Sequence, residues 1–428
     1  MGSPARMKSV CELITRPGYQ GNLVVLSAMS GTTNSLVEIC NYIKEGNVEG
    51  AGDIINRLSD KYADHIENLY AQEASKQKMH AFAADVFKYI RSFTKDIFTP
   101  REEKIILSQG EILSTNMVTA YLQECGVNVR LLDALSFMRI DMNGEPDAWY
   151  IRQRLSEVMA AGEKADLYIT QGFICRDAVG EVDNLQRGGS DYTASLLGAA
   201  MGASEIQIWT DIDGMHNNDP RFVEGTKSVP HLYFEEASEL AYFGAKILHP
   251  TCIQPAKFNN IPVRLLNTMD PDAPGTVIDN RKDHGIIKAV AAKDNITAIK
   301  IKSGRMLLAY GFLRKVFEIF ESHQTAIDMI CTSEVGVSMS IDNATYLPQI
   351  EADLRKYGTV TIDRDMCIIC VVGDMEWENK GFEGHVLDAL KDVPVRMVCY
   401  GGSNYNISFL IRKEDKEKAL KALSKTLF

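Results

Sequence analysis

Apolar residues in the first two thirds of the chain come in short solid runs. Between these runs lie longer stretches where apolar residues recur every three or four positions. The run GNLVVLSAM (21–29) predicts a buried strand, and after a Gly-Thr-Thr-Asn turn the spacing predicts a helix over 34–43. Residues 51–93 read as long helices. EKIILSQG (103–110) predicts another short strand, and GEILSTNMVTAYLQECG predicts a helix ending at Gly126. VNVRLLDA, ADLYITQGF and SEIQIWTD repeat the strand pattern. Short apolar strands alternating with helices predict an α/β fold, with a mainly parallel sheet sandwiched by helices. Ligands in such sheets sit beyond the C-terminal ends of the strands, so the loops after LVVLSAM, ITQGF and IQIWTD are the informative ones.

Near residue 280 the texture changes. NTMDPDAPGTVIDNRKDHG is rich in Pro, Gly and Asp and marks a domain end, which predicts one domain over 1–283 and a second over 284–428. In the tail the pattern predicts strands at 286–292 and 296–302, a helix at 312–323, and strands at 326–331 and 334–341. It continues with a helix at 347–357, strands at 358–364 and 366–372, and a helix at 382–391. Strands at 395–400 and 404–411 and a helix at 413–426 complete it. This is a doubled ferredoxin-like βαββαβ pattern. Eleven elements do not divide into two sets of six, so the two units either follow one another or interlock.

Composition narrows the function classes. Hydrophobic residues are 45% and charged residues 24%, the profile of an ordinary globular protein rather than a disordered or fibrous one. A net charge of −11 argues against a general nucleic-acid or membrane-surface binder, although one local cluster of donors still suffices for a phosphate. No apolar run of about 18 residues is present, and MGSPARMKSV lacks a signal-peptide pattern. The nine cysteines are scattered, and the CxxC of Cys367 and Cys370 lies in the apolar run MCIICVVG, which reads as thiols in a buried strand. Reduced thiols without a targeting segment predict the cytoplasm.

Five runs carry candidate chemistry. In GFICRDAVGEVDNLQRGGSDYTASLLGAAMG (172–202), Gly188 and Gly189 permit a tight turn, and Ser190 and Asp191 are good N-caps for a helix over 192–201. That helix end is an anion site, and Arg187 adds a planar donor for carboxylate or phosphate. In IQIWTDIDGMHNNDPR (206–221), Thr210 and Asp211 end a strand, and Asp219, Pro220 and Arg221 close a polar loop, with Arg221 suited to phosphate. His216 reads as a pocket wall or surface residue, because no His or Cys has ligand-like spacing to it. LSAMSGTTNSL (26–36) passes from strand through Gly31 to helix, Lys246 of FGAKILHP is in reach of a phosphate, and Glu111 of SQGEILST opens a helix where a carboxylate can bind an ammonium. Each run also has a plain reading as a capped helix, an Asx/Pro turn or a solvated side chain. P-loop, dinucleotide-fingerprint, GxSxG and HExxH patterns are absent. Composition and spacing reach a two-part α/β protein with an anion site and stop there.

LSAMSGTTN, GEILST, ITQGFI, RGGSDYTASLL, IWTDIDG with NNDPR, and FGAKILHP together resemble the aspartokinase family within the amino-acid kinase fold. GFLRKVFEIF with TSEVGVSMSID, and RMVCYGGSNYNISFL, resemble its two ACT regulatory units. The resemblance covers essentially the whole chain in order, with no fused dehydrogenase. It implies phosphorylation of the β-carboxylate of L-aspartate by ATP with Mg²⁺, giving 4-phospho-L-aspartate, the first step toward lysine, threonine and methionine. It implies that Asp191 and Lys246 are catalytic, and that Thr33, Glu111, Arg187 and Ser190 bind substrate, Glu111 through the ammonium. Thr210, Asp211, His216, Arg221 and Lys246 would contact the nucleotide, His216 standing where relatives often have Tyr. No protein-held metal ligand is implied.

The ACT-like tail implies feedback by an amino acid, with lysine the leading candidate. Met306, Gly311, Phe312, Leu313, Asp328, Thr332, Ser333 and Glu334 fall at effector positions of lysine-sensitive relatives, with Asp328 or Glu334 suited to an ammonium. Ala309 and Ala326 stand where some of those relatives have serines. Pairing of ACT units implies a homodimer or larger assembly. Relatives also begin with a KFGGTS strand whose lysine approaches the phosphates. The resemblance implies such a strand upstream of Met1, and weak turnover for a chain lacking it. The alternatives are a glutamate-type amino-acid kinase and a non-catalytic amino-acid-sensing subunit.

Overall fold

The computed structural model describes every residue except 1, 96, 186–187, 245–247 and 305–309. The chain divides into two compact units, Met1–Ile212 with Thr251–Ala273, and Asp213–Pro250 with Pro274–Phe428. The first unit runs α1 (Pro4–Ile14), β1 (Asn22–Leu26), α2 (Thr32–Lys44), α3 (Val48–Leu69), α4 (Glu73–Ser92), α5 (Pro100–Glu124) and β2 (Val129–Leu132). It continues through α6 (Ala148–Ala160), β3 (Leu167–Gln171), the hairpin β4 (Ile174–Arg176) and β5 (Val182–Asn184), α7 (Gly189–Met201) and β6 (Ile206–Thr210). The second unit then takes β7 (His231–Tyr233) and α8 (Phe234–Tyr242). The chain returns to the first unit for most of α9 (Pro250–Phe258) and for β8 (Val263–Asn267). Beyond these, β9 (Thr276–Asp279), β10 (Ile287–Lys302), α10 (Phe312–Ser322), β11 (Met329–Ser333), β12 (Gly336–Ile341) and α11 (Leu347–Leu354) follow. β13 (Thr359–Gly373), α12 (Phe382–Ala389), β14 (Val395–Cys399), β15 (Asn406–Arg412) and α13 (Lys416–Leu427) end the chain.

In the first unit β1, β3 and β2 form a parallel sheet with β3 central and buried along its whole length. β6 and β8 pair in parallel as well. One side of the three-stranded sheet packs with α2–α5 around Leu36, Ile55, Tyr62 and Val118. A second cluster gathers Phe137, Ile151, Ile174 and Leu197. The parallel α/β architecture expected from alternating patterns is thus the observed one.

One predicted strand is not there. Residues 103–110 are the first turns of α5, and Thr99 supplies the reason. Its N–H donates to Glu102 Oε2 at 2.8 Å in a capping box, and Pro100 takes the first helical position. α5 is buried on opposite faces, through Ile106, Leu113 and Met117 and also through Ser108, Glu111 and Thr115. A helix buried all round shows no clear apolar period, so its first turns mimic a strand.

In the second unit the four predicted tail strands at 286–302 and 358–372 are two long ones. β10 and β13 pair antiparallel from end to end, with register slips near Ile296. Asn295 (φ 62°) and Asp365 (φ 53°) mark bulges inside the strands where the pattern implied breaks. The six strands run β11-β12-β10-β13-β15-β14. The second half of β10 and the first half of β13 belong to one βαββαβ unit with α10 and α11. The second half of β13 starts the other unit, and the first half of β10 completes that unit's sheet. The two units interlock. Ile299, Val316, Met339 and Ile350 fill one core, and Ile369, Val386, Phe409 and Leu420 fill the other. Cys367 and Cys370 are buried free thiols of β13, and burial pushes Cys367 up to about 12. Among the described residues no helix is long and apolar enough to cross a membrane.

Candidate active site

Glu111 does not open a helix but sits in the middle of α5, 3% exposed. Its Oε1 accepts from the Ala28 N–H at 3.2 Å, just past the C-terminal end of β1. Its Oε2 is buried with no donor among the described residues. Burial pushes its pKa up to about 7 against the opposing pull of the Ala28 N–H and its own N–H. α5 and the loop after β1 approach closely because Gly110 lacks a side chain: a Cβ there would stand 2.9 Å from Ala28 Cβ. Ser114 Oγ donates to the Ser27 carbonyl at 2.8 Å and fixes the same loop. The loop then turns through Gly31 (φ 81°) into α2, where Thr33 is half-buried. Lys61 Nζ, from α3, donates to the Ser30 carbonyl at 2.7 Å.

The end of β3 meets the same loop, since the Gly172 N–H donates to the Leu26 carbonyl at 2.9 Å. Gly172 is also where α7 arrives: a Cβ on it would lie 2.5 Å from Ser190 Oγ. The expectation that Ser190 and Asp191 cap α7 is not met. Gly188, at φ 76°, is the N-cap, no side chain caps the helix, and Ser190 and Asp191 occupy its first turn. The cause is the glycine pair, because Gly189 packs so tightly on Phe173 that a Cβ would come within 2.6 Å. Burial pushes Asp191 up to about 6, and no cation lies beside it among the described residues. Thr33, Glu111, Ser190 and Asp191 therefore gather where β1 and β3 end. Thr210 ends β6 of the same unit and Asp211 follows it, the Thr210 hydroxyl donating to Asp211 Oδ1 at 3.2 Å. Arg187 and Lys246 lie outside the described residues.

His216 and Arg221 belong to the second unit. His216 bonds Asp213 Oδ1 at 2.6 Å and Thr226 Oγ1 at 2.9 Å through its two ring nitrogens. Arg221 is exposed and clamps Asp219 with Nε at 2.9 Å and Nη2 at 2.6 Å. Burial works against the Asp219 charge, but the bonds from Arg221 prevail and lower its pKa. Of the effector positions, Gly311 (φ 81°) is the N-cap of α10, Phe312 is buried and Leu313 is exposed. Thr332 and Ser333 end β11, and Glu334 follows them, all three on the surface. Asp328 is buried and already takes an ammonium, that of Lys293 at 2.7 Å. Met306 lies outside the described residues.

The amino acid kinase family model matches residues 1–267, and an ACT domain model matches residues 369–427. Chloroplastic aspartokinase 1 of Arabidopsis thaliana is 34% identical over 451 residues, spanning 100% of this chain and 78% of that protein. The chain belongs to the aspartokinases. Lysine-sensitive aspartokinase 3 of Escherichia coli is 32% identical, over 95% of this chain and 92% of that one. The crystal structure of E. coli aspartokinase III with aspartate and ADP superposes with a TM-score of 0.85 at 29% identity, covering 100% of this chain and 97% of its own. The same enzyme with lysine and aspartate gives a TM-score of 0.77 at 30% identity.

As an aspartokinase, the chain is a phosphotransferase acting on aspartate with ATP and Mg²⁺. No cluster of three or more His, Cys, Asp or Glu residues able to hold a metal ion occurs among the described residues. Mg²⁺ keeps several waters and is held by substrate phosphates with one or two carboxylates. Asp191, half-buried and with no cation beside it among the described residues, is a carboxylate that would hold it. When bound, the ion neutralises charge on the transferring phosphoryl group.

Sequence reasoning missed Gln171. Its Nε2 donates to Thr115 Oγ1 at 3.0 Å and its Oε1 accepts from the Ala134 N–H at 2.8 Å, tying β3 to α5 beside Glu111. A glutamine ending a strand buried along its whole length, directly before Gly172, was the available signal.

Proposed function

We propose that Glu111 holds the α-ammonium of L-aspartate, with Thr33 and Ser190 beside the substrate and Arg187 on a carboxylate. The observation that carries this reading is the buried Oε2 of Glu111, which has no donor among the described residues. A carboxylate taken out of water is costly unless paired, and an arriving ammonium supplies the pair. Asp191 and Lys246 act on the transferring group, and Thr210, Asp211, His216, Arg221 and Lys246 contact the nucleotide. The acceptor is itself a carboxylate and needs no general base. Catalysis then amounts to bringing two anions together and neutralising the developing charge.

Residues 1–283 form the catalytic portion in this reading, and 284–428 the regulatory portion, working in the cytoplasm as a homodimer or larger assembly paired through the ACT units. Lysine is the feedback effector, held by Met306, Gly311, Phe312, Leu313, Asp328, Thr332, Ser333 and Glu334. The lysine-sensitive E. coli relative and the lysine complex of aspartokinase III support that choice. The test is ADP release with aspartate or glutamate, with and without lysine, on the wild type and Glu111→Gln. Aspartate-dependent release that falls with lysine and collapses in Glu111→Gln is expected. Release driven equally by glutamate, or unaffected by Glu111→Gln, contradicts the reading.

A further inference from the structure

Lys293 lies where β10 bulges between the two ACT units, just before Asn295 with its φ of 62°. Its Nζ donates to Asp328 Oδ1 at 2.7 Å and pairs with Asp342 Oδ2 at 2.9 Å. It also stands 4.2 Å from the centroid of the Tyr242 ring, a cation–π contact. The Tyr242 hydroxyl in turn donates to the same Asp328 Oδ1 at 2.8 Å. Burial works against the charge of Lys293, but its two carboxylates prevail and hold its pKa above the usual lysine value. Asp328 Oδ2 is buried with no donor among the described residues. The carboxylate thus has one oxygen spent on an internal ammonium and a phenol, and one oxygen left over.

Tyr242 is the last residue of α8, a helix that packs on β10 and β13. Two residues later, Gly244 (φ 125°) lies so close to β10 that a Cβ on it would stand 2.2 Å from the Ala292 carbonyl oxygen. The end of α8 is therefore seated on Ala292 and Lys293 together, immediately ahead of the segment that contains Lys246. We propose that Lys293 is a positioning residue that reports occupancy of Asp328 to α8. An effector ammonium arriving at Oδ2 takes over charge compensation of Asp328, loosens its bonds to Lys293 and Tyr242, and shifts the end of α8. This rests on the reading of Asp328 as an effector contact.

The test uses the full chain, as wild type, Tyr242→Phe, Lys293→Arg and Lys293→Gln. Lysine binding is measured by calorimetry, ATP affinity is measured with and without saturating lysine, and the ratio of the two ATP affinities is the coupling factor. Tyr242→Phe removes one hydroxyl and keeps the ring. It is expected to bind lysine within about threefold of wild type while losing at least fivefold in coupling. Lys293→Arg keeps the coupling and Lys293→Gln loses it. A purely structural role would move affinity or stability and leave the coupling factor alone. Coupling unchanged in both Tyr242→Phe and Lys293→Gln overturns the proposal, and Tyr242→Phe decides alone if Lys293→Gln does not fold. A wild type that gives no heat with lysine marks failure of the effector reading instead. The relay is then judged without effector, where Lys293→Gln and Tyr242→Phe, but not Lys293→Arg, are expected to change ATP affinity at least threefold. Unchanged values there overturn it.

Discussion

Two buried carboxylates, one in each unit, solve the same electrostatic problem in opposite ways. Glu111 rests Oε1 on a backbone N–H and has no cation beside it among the described residues, while Asp328 rests Oδ1 on Lys293 and Tyr242. Each keeps a second buried oxygen with no donor among the described residues. In the proposed reading Glu111 takes its charge compensation from a ligand, and burial outweighs the two backbone N–H groups to push its pKa up to about 7. Asp328 is compensated from within, so any ligand ammonium must compete with Lys293. The first arrangement favours strong dependence on the substrate's charge, and the second favours graded, reversible response. Taking away a partner from a buried charge is far costlier than rearranging one that is already shared.

The largest expected effect follows from the uncompensated member. Glu111→Gln keeps the shape but cannot form an ion pair with an ammonium, so steady-state kinetics should show kcat/KM for aspartate falling by about 10²–10³-fold. A loss below tenfold would break the contrast. The same carboxyl has a stability signature. Its folded pKa lies above its unfolded value, so its contribution is fully present below the usual carboxyl range and is lost as pH rises through about 7. Glu111→Gln escapes that loss. Its stability relative to wild type in urea titrations should rise between pH 5 and pH 8, by up to about 3 kcal/mol.

Asp328→Asn should weaken lysine by about tenfold, roughly 1.4 kcal/mol, less than the Glu111 effect because Lys293 already neutralises the site. Calorimetry showing equal losses at the two carboxylates would erase the distinction. The smallest effect is geometric. Gly172→Ala places a Cβ 2.5 Å from Ser190 Oγ and 2.7 Å from Ser190 Cα, so the first turn of α7 must move. Turnover should fall by about tenfold, with the aspartate KM changed less.

The residue types of the candidate site were more legible in the sequence than its geometry. Glu111, Ser190 and Asp191 stand out by residue type within their runs and Thr33 only through the resemblance, and the structure brings them near the ends of β1 and β3. Their surroundings were less legible. The apolar run before Glu111 looks like a strand because α5 is buried on opposite faces, and only the Thr99–Glu102 capping box, outside that run, reveals the helix. Ser190 and Asp191 look like caps because residue type suits them, yet the close approach of Gly189 to Phe173 starts the helix earlier. In the tail, bulges at Asn295 and Asp365 look like breaks because a polar residue with positive φ interrupts the apolar alternation. The interlocked sheet depends on pairing across more than sixty positions, as in Ala298 with Asp363, which no local pattern encodes. Lys293 is one charged residue among many in the sequence, and only the fold puts two carboxylates and a phenol around it.

The central claim is that Glu111 pairs with the substrate ammonium, and a carboxyl whose pKa burial pushes up must shed a proton to do so. Calorimetric titration of aspartate into the enzyme at pH 6, in buffers of different ionisation enthalpy, measures that directly. With its pKa pushed up to about 7, Glu111 should release most of a proton per aspartate bound, and the release should vanish in Glu111→Gln. A binding enthalpy independent of buffer at pH 6 would contradict the account.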